Sequence, residues 1–504
     1  MLYVIYNHPD AHPSLENMAV NRNNTVSVTS TDYDVMMPYY EAVNTVLAGT
    51  KAMQKAGTKF LPKFVDESEL DYEIRRKNAC FTNIFADICD NIAAKPFKQE
   101  VKISDESLDI YKDFKENVDG GGNHLHIFAA DVFYNAIAYG VDYILVDYPS
   151  NDAILTLADE RALENRPYWQ RISAIDALMV YSERVQGIEV LTYFKFRHYD
   201  REIDAQGHEQ LVEYVTIFQR DKIETETGFV LAPARFTRYK NTTSTNTLSN
   251  TYALVAEGDI TIGVIPVVPV VLGRRRGETW AMNPPMQDAL WLQIEHYQAE
   301  NNLKYAKTNA AFPMLAGQGI EPEIVNGQPA QLHVGPKTVL YAPMINGSAG
   351  SWQFIEPSSQ SLNFLQSDIE KMENKLRELG KQPLTAQSGN LTVITTAMAA
   401  QKANSAVQAW ALRLKDSLEN AFVLTAAWFG LSPETAPSVE VYTDFDLEMG
   451  SEKTPDVLLS LAQNGYISQQ TLMSELQKRG YLSPDYSYEQ DAENLLNEVA
   501  TSEQ

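Results

Sequence analysis

Apolar residues between positions 68 and 94 recur at helical spacing. Leu70, Ile74, Phe81, Ile84, Ile88 and Ile92 form one stripe. Ser68 stands where an N-cap belongs and Pro96 closes the run, so one long helix is expected from Ser68 to Ala94. A helix from Pro38 to Ala56 is expected before it. Another, from Asn123 to Tyr139, is stopped by Gly140. Residues 1–32 are rich in Asn, Ser, Thr and Pro without any period and predict a loose arm.

After Gly140 the pattern changes. Val141–Tyr148 is mostly apolar and ends at Pro149, as a buried strand would. Further strands are expected at 171–181, 188–199, 210–220 and 228–238. Thr, Ser and Asn crowd 241–251, which predicts a hairpin tip or linker. Ile262–Leu272 is the most apolar stretch. It is too short to span a bilayer and carries Pro266 and Pro269, so a buried strand is expected there. The fold class is therefore α+β.

The second half is organised around longer helices. Gln287–Thr308 predicts a helix about 33 Å long. Phe312–Ile355 is rich in Gly and Pro and strand-like. Pro357–Gly380 predicts a second helix, with Leu362, Leu365, Ile369, Met372, Leu376 and Leu379 spaced 3, 4, 3, 4, 3 as in a heptad seam. Such a seam needs a partner: the preceding helix, a neighbouring subunit, or both. A polar loop follows, Gln382–Asn390. Leu391–Phe429, Ala-rich and free of Gly and Pro until Phe429, would make one helix of nearly 60 Å, by the ~1.5 Å rise per residue. The tail predicts a strand, Val439–Phe445, and helices near 452–464, 468–479 and 487–500.

Composition narrows the function. The 504 residues suffice for several cores, and the formal charge is -25 with a pI near 4.7. A protein that grips phosphates tightly is normally basic, so strong DNA binding is not expected; a surface that DNA slides past is compatible with acidity. Cys80 and Cys89 fall in one expected helix, too far apart for a disulfide, and predict reduced packed thiols. The first ten residues lack the basic region and apolar core of a secretory leader. No Gly-rich loop ends in Gly-Lys-Ser/Thr and no Gly-x-Ser-x-Gly elbow occurs. Asp119-Gly-Gly-Gly122 lacks a lysine and predicts a turn before a helix. His124 and His126 have no third metal ligand nearby in sequence. Arg274-Arg275-Arg276 is the sharpest basic cluster. It fits either a solvated turn or a contact to phosphate or an acidic neighbouring subunit.

Three stretches in this order resemble the portal family of tailed bacteriophages. The first is LAGTKAMQKAGTKFLP (Leu47–Pro62) with YEIRRKNA (Tyr72–Ala79) and NIAAKPF (Asn91–Phe97). The second is GVIPVVPV (Gly263–Val270) with LKYA (Leu303–Ala306) and AFPMLAG (Ala311–Gly317). The third is NGYISQQTL (Asn464–Leu472). The resemblance implies a homo-oligomeric ring of twelve at one capsid vertex of the virion, assembled in the host cytoplasm. Such a ring is the channel for double-stranded DNA packaging and ejection. It docks the terminase motor and then a tail adaptor, and meets the major capsid and scaffolding proteins. No enzymatic activity, cofactor, metal or membrane contact is implied.

On this basis residues 1–32 are an arm and 33–283 an α+β wing. Residues 284–310 and 356–381 are stem helices around a clip, 311–355. A tunnel loop spans 382–391, a long helix with a wing return strand 392–449, and a crown 450–504. The clip's candidate partner contacts are Phe312, Met314, Leu340, Tyr341, Met344 and Trp352. The candidate channel residues are Lys371, Lys375, Lys381, Gln387, Ser388 and Asn390; those lysines could equally pair with Glu370, Glu373 and Glu378. The alternatives are another virion structural protein, such as a head-completion or tail adaptor protein, and a divergent nucleic-acid enzyme.

Overall fold

The computed structural model describes residues 26–65, 67–149, 165–203, 207–225, 228–242, 251–311, 314–318, 324–325, 328–329, 344–345, 348–349, 351–355, 359–379, 393–443, 445, 454–478, 481–483 and 486–492. Helix α1 (Thr31–Leu47) starts within the expected arm, because the Ser30 hydroxyl accepts from Tyr33 N at 3.1 Å and caps it. The expected helix from Pro38 to Ala56 is two: α1 and α2 (Thr50–Ala56), parted at Ala48–Gly49, where Gly49 takes φ 79°.

The expected helix from Ser68 to Ala94 is also two. Ser68 caps α3 (Glu69–Lys77), and Asn83 caps α4 (Ile84–Ala94). The apolar stripe holds only in its second half. Ile84, Ile88 and Ile92 are buried, whereas Leu70 and Ile74 are exposed, because α3 turns Tyr72 and Arg75 inward instead. Cys80 lies in the link between the helices, and Cys89 is buried in α4.

A short strand β1 (Lys102–Ile103) and α5 (Asp109–Lys115) lead into α6 (Leu125–Tyr139). Asp119 shapes the preceding turn, its Oδ1 accepting from Gly121 N at 2.8 Å and Asn123 N at 3.1 Å. Gly140 ends α6 at φ 93° and turns the chain into β2 (Val141–Asp147), which pairs antiparallel with β3 (Tyr168–Ser173). Then come β4 (Ala177–Val185), β5 (Ile188–Ile203), β6 (Glu209–Gln219), the hairpin β7 (Lys222–Thr225) and β8 (Gly228–Leu231), β9 (Arg235–Asn241) and β10 (Tyr252–Asp259). The strand expected at 171–181 breaks at a Ser173–Asp176 turn, and that at 228–238 splits into β8 and β9. The edge strand β10 was not foreseen; its exposed, Gly-containing sequence carries no alternation.

The antiparallel order is β10-β9-β6-β5-β4 in one sheet and β11-β2-β3 in the other. Here β11 (Val267–Val271) is the core of the expected strand at Ile262–Leu272. A small hairpin, β12 (Arg274–Arg275) and β13 (Met282–Asn283), follows.

Helix α7 (Gln287–Ala311) comes next. Strand β14 (Met314–Gln318) pairs antiparallel with β19 (Ser351–Ile355). Between them lie two-residue pairs, β15 (Ile324–Val325) with β16 (Gln328–Pro329) and β17 (Met344–Ile345) with β18 (Ser348–Ala349). Then follow α8 (Ser359–Leu379) and the 36-residue α9 (Val393–Trp428). The expected strand Val439–Phe445 reduces to β20 (Val439–Glu440), paired with β1, although Phe445 is buried. Helices α10 (Thr454–Gln463) and α11 (Gln469–Lys478) follow; the third expected helix is helical at 488–492, and its residues 493–500 lie outside the described residues.

Strand β2 is buried along nearly its whole length, with α6 and α9 packed on it. One aromatic cluster joins the layers: Trp169 of β3 lies 5.0 Å from Phe422 of α9, 5.5 Å from Phe114 of α5 and 5.7 Å from Phe128 of α6. Its indole N–H reaches Thr425 Oγ1 at 2.8 Å. The start of the described chain is strapped to β5 by Lys195, whose buried ammonium donates to Val28 O at 2.8 Å; burial lowers its pKa to about 8.

Asp142 on β2 is fully buried. Arg171 Nη1 is 3.7 Å away, beyond hydrogen-bond range, so burial outweighs that cation and pushes the carboxyl well above its ordinary range. Below the unfolded value, about 3.9, both states are protonated and the group is neutral to stability. As pH rises past that value the unfolded chain ionises first, so stability falls until the folded group ionises too. Asp142→Asn is therefore expected to raise stability by about 1 kcal/mol at pH 7, a gain that vanishes near pH 3. Melting temperatures of both proteins across that range check it; a pH-independent difference would reject the assignment.

Candidate functional site

Helix α7 is the chemical centre of the second half. Gln293, Tyr297, Asn301 and Lys304 recur at i, i+4, i+8 and i+11, so they share one face. That face meets the 78–83 link and carries polar side chains where a core stripe would carry apolar ones. Asn301, 1% exposed, accepts from Cys80 N at 2.8 Å and donates to Cys80 O at 2.9 Å. Gln293 accepts from Phe85 N at 2.9 Å and donates to Thr82 O at 3.0 Å. Lys304 donates to Asn78 O at 2.7 Å. The link's main-chain groups, which an unbroken helix would have satisfied internally, are thus satisfied by α7 side chains, and this is why two helices replace one. Tyr297 sits edge-on to Phe81 at 5.5 Å, and burial raises its phenol to about 12.

Asn301→Ala would strand both Cys80 groups. A loss of about 2 kcal/mol is expected, measurable by urea unfolding. An unchanged midpoint would mean water replaces the amide freely.

Helix α8 packs along α7 and reaches α4. Of the expected seam, Leu376 is fully buried and Ile369 nearly so, while Leu362, Met372 and Leu379 are half-buried. Leu365 departs from the expectation of burial: it is 40% exposed, although Lys307 of α7 reaches the adjacent Gln366. His296 of α7 is buried at the seam with Nε2 3.3 Å from Glu373 Oε1, and Arg377 Nη1 is 3.4 Å from Asp87 of α4. Lys371 and Lys375 are exposed, and among the described residues neither makes an ion pair.

Trp352 is half-buried on β19, opposite Gly317. Met314 and Met344 lie in described strands. Phe312, Leu340, Tyr341, Lys381, Gln387, Ser388 and Asn390 lie outside the described residues.

Helix α9 ties this unit to the sheets. Val407, Ala411, Leu414, Leu418, Ala421, Phe422 and Ala426 are buried along it, and the Trp428 indole donates to Val146 O at 2.9 Å.

The other sequence candidates have structural roles. His124 caps α6, its Nδ1 accepting from His126 N at 3.1 Å, and His126 Nδ1 accepts from Val101 N at 3.2 Å. Among the described residues no group of three His, Cys, Asp or Glu is placed to hold a metal. Arg275 pairs with Glu189 at 2.7 Å and lies over Trp280 at 4.4 Å, so it organises its own hairpin turn. Arg276 donates to Asn283 Oδ1 at 3.0 Å. No helix among the described residues is long and apolar enough to cross a membrane.

The α7-to-α9 unit coincides with a recognised family domain. A family described as "Domain of unknown function (DUF4055)" matches residues 285–429. Among solved structures, the chain is similar to one in the neck of a native GTA particle computed with C12 symmetry: 12% identity, 85% of this chain and 98% of that chain covered, TM-score 0.38. It is similar also to one in the neck of an empty GTA particle computed with C6 symmetry: 12% identity, 86% and 99% covered, TM-score 0.40. No curated protein sequence matches the chain.

Proposed function

We propose that the chain is the subunit of a portal-type ring at one capsid vertex, a non-enzymatic channel for double-stranded DNA and a docking platform for a packaging motor and a tail adaptor. The observation that carries this reading is the order of elements in one chain: α7, a strand insert closed by the β14–β19 pair, α8, and then the long α9 running back along the first-half sheets. Two packed helices with an insert between them, anchored in an α+β body, suit a channel wall with a projecting docking tip. The motif order in the sequence supports the same reading, as does the net charge of -25, which disfavours a surface that would hold DNA fast.

On this reading α7 and α8 are the stem, 311–355 the clip, the first-half sheets and helices the wing, and the segment from 450 on the crown. Trp352 is a candidate partner contact of the clip. Purified chain imaged by negative stain is expected to give rings of about twelve copies with a central hole, as symmetric closed assemblies do. The same preparation is expected to lack nuclease and ATPase activity. A stable monomer, or intrinsic turnover of either substrate, would reject the reading.

A further inference from the structure

A groove of about 530 Å³ lies between the β4–β5 turn, the outer edge of β11 and α9. Its walls are mostly apolar: Ile188, Leu191, Val264, Leu424 and the Trp280 ring among them. Ile188 is 67% and Val264 36% exposed, while Leu191 and Leu424 are half-buried. Nothing among the described residues fills it.

One wall is a strand edge. Val146 N donates to Pro266 O and Leu272 N to Gly140 O, so alternate residues of β11 bond to β2. Val267, Pro269 and Val271 therefore turn their main chain outward. Ser417 and Arg413 of α9 reach the carbonyls of Pro269 and Val271. The outward groups of Val267, itself a lining residue, have no partner among the described residues. An apolar trough beside an unpaired strand edge suits an extended apolar peptide.

The chain carries such a peptide. Leu2-Tyr3-Val4-Ile5-Tyr6 is an uncharged apolar run, and all but its leucine are aromatic or β-branched, which favours an extended strand. Residues 7–25 are mostly polar and contain Pro9 and Pro13. Residues 1–25 lie outside the described residues, and the described chain begins beside the groove. Lys195 of β5 holds the carbonyls of Val26 and Val28. Asp32 accepts from the main-chain N–H of Trp280, a wall of the groove, at 2.7 Å.

The tether has the right length. Val26 is six residues before Asp32, so it stands no more than roughly 25 Å from Trp280. A random chain of about twenty residues, the separation of Tyr6 from Val26, has a root-mean-square span of about 25 Å. Effective concentration is highest when tether and distance match, so even a modest apolar contact closes within one chain.

We propose that Leu2–Tyr6 lies extended in this groove of its own chain, along the Val267 edge of β11. It then covers Ile188 and Val264 and ties β5, β11 and α9 together. The contact is internal to one copy and does not depend on the ring.

The test places the photoreactive residue p-benzoylphenylalanine at position 3 of the full chain, in place of Tyr3, and irradiates a dilute solution. An adduct within one chain is expected, mapped by mass spectrometry to residues 182–191, 264–271 or 420–424. Ile188→Asp, at an exposed position, is expected to lower its yield at least about tenfold, because docking would bury an unpaired charge. Its melting temperature should stay within a degree or so of the parent's. Val4→Asp in the photoreactive chain is expected to lower the yield alike, and decides the matter should Ile188→Asp unfold. Adducts elsewhere in the chain, no adduct, or yields indifferent to both substitutions overturn the proposal. Covalent dimers in place of the internal adduct also overturn it, and make the occupant the arm of a second copy.

Discussion

Leu376→Asp is expected to cost about 4 kcal/mol, because it leaves an unpaired charge in a fully enclosed site. Leu376 is the most deeply buried position of α8, where the helix is wedged between α7 and α4. The carboxylates nearest in sequence, Glu373 and Glu378, would add like charge. A loss of that size is a large share of the stability of an ordinary domain. Chemical denaturation of the variant measures it, and an isosteric control, Leu376→Met, should lose less than about 1.5 kcal/mol. Ile369→Asp should behave alike but more mildly, since that site keeps a little solvent access. A native-like midpoint for Leu376→Asp would mean that α8 is not seated on α7 as described.

The second large effect is expected at Gly140. Its φ of 93° disfavours any side chain, and an added Cβ would stand 3.2 Å from Met282 Sδ and from Pro284 Cα. Its carbonyl accepts from both Leu272 N at 3.0 Å and Gly273 N at 2.7 Å, so the residue cannot slide away without breaking the approach of β11 to β2. Gly140→Val is expected to lose about 3 kcal/mol, from backbone strain and overpacking together. Gly187, with φ 84° and nothing near its missing Cβ, is the control. There Gly187→Ala should cost only the strain, about 1 kcal/mol. Equal losses at both glycines would show that crowding at Gly140 is relieved elsewhere.

What the sequence made legible was whatever local chemistry decides. Gly140 was readable as a stop because it follows a helical run, and β2 because seven residues in a row lack the alternation of a half-exposed strand. The α8 stripe was readable from its 3, 4 spacing, and α9 from the lack of breakers. The splitting of 68–94 was not readable, because the force that opens it comes from more than two hundred residues away in Gln293 and Asn301. Those amides carry no signal of their own; glutamine and asparagine in a helix normally face water. Strand β10 escaped for a related reason, since its pairing with β9 rather than its own pattern makes it a strand. The exposure of Leu365 was equally invisible, because periodicity reports which residues share a face and not which edge of that face the partner covers.

The grip of α7 on the 78–83 link has a consequence for how this chain can change over time. Gln293 and Asn301 hold main-chain atoms of Cys80 and Thr82, atoms every amino acid brings with it. Cys80 and Thr82 can therefore exchange their side chains while the coupling between the two halves persists, whereas Phe81, packed on Tyr297, and Asn83, the cap of α4, are held by their own contacts. The two amides have no such freedom: aspartate or glutamate would lose the donor, and a shorter residue would lose reach. Sequence drift should accumulate on the held side of this joint and stall on the holding side.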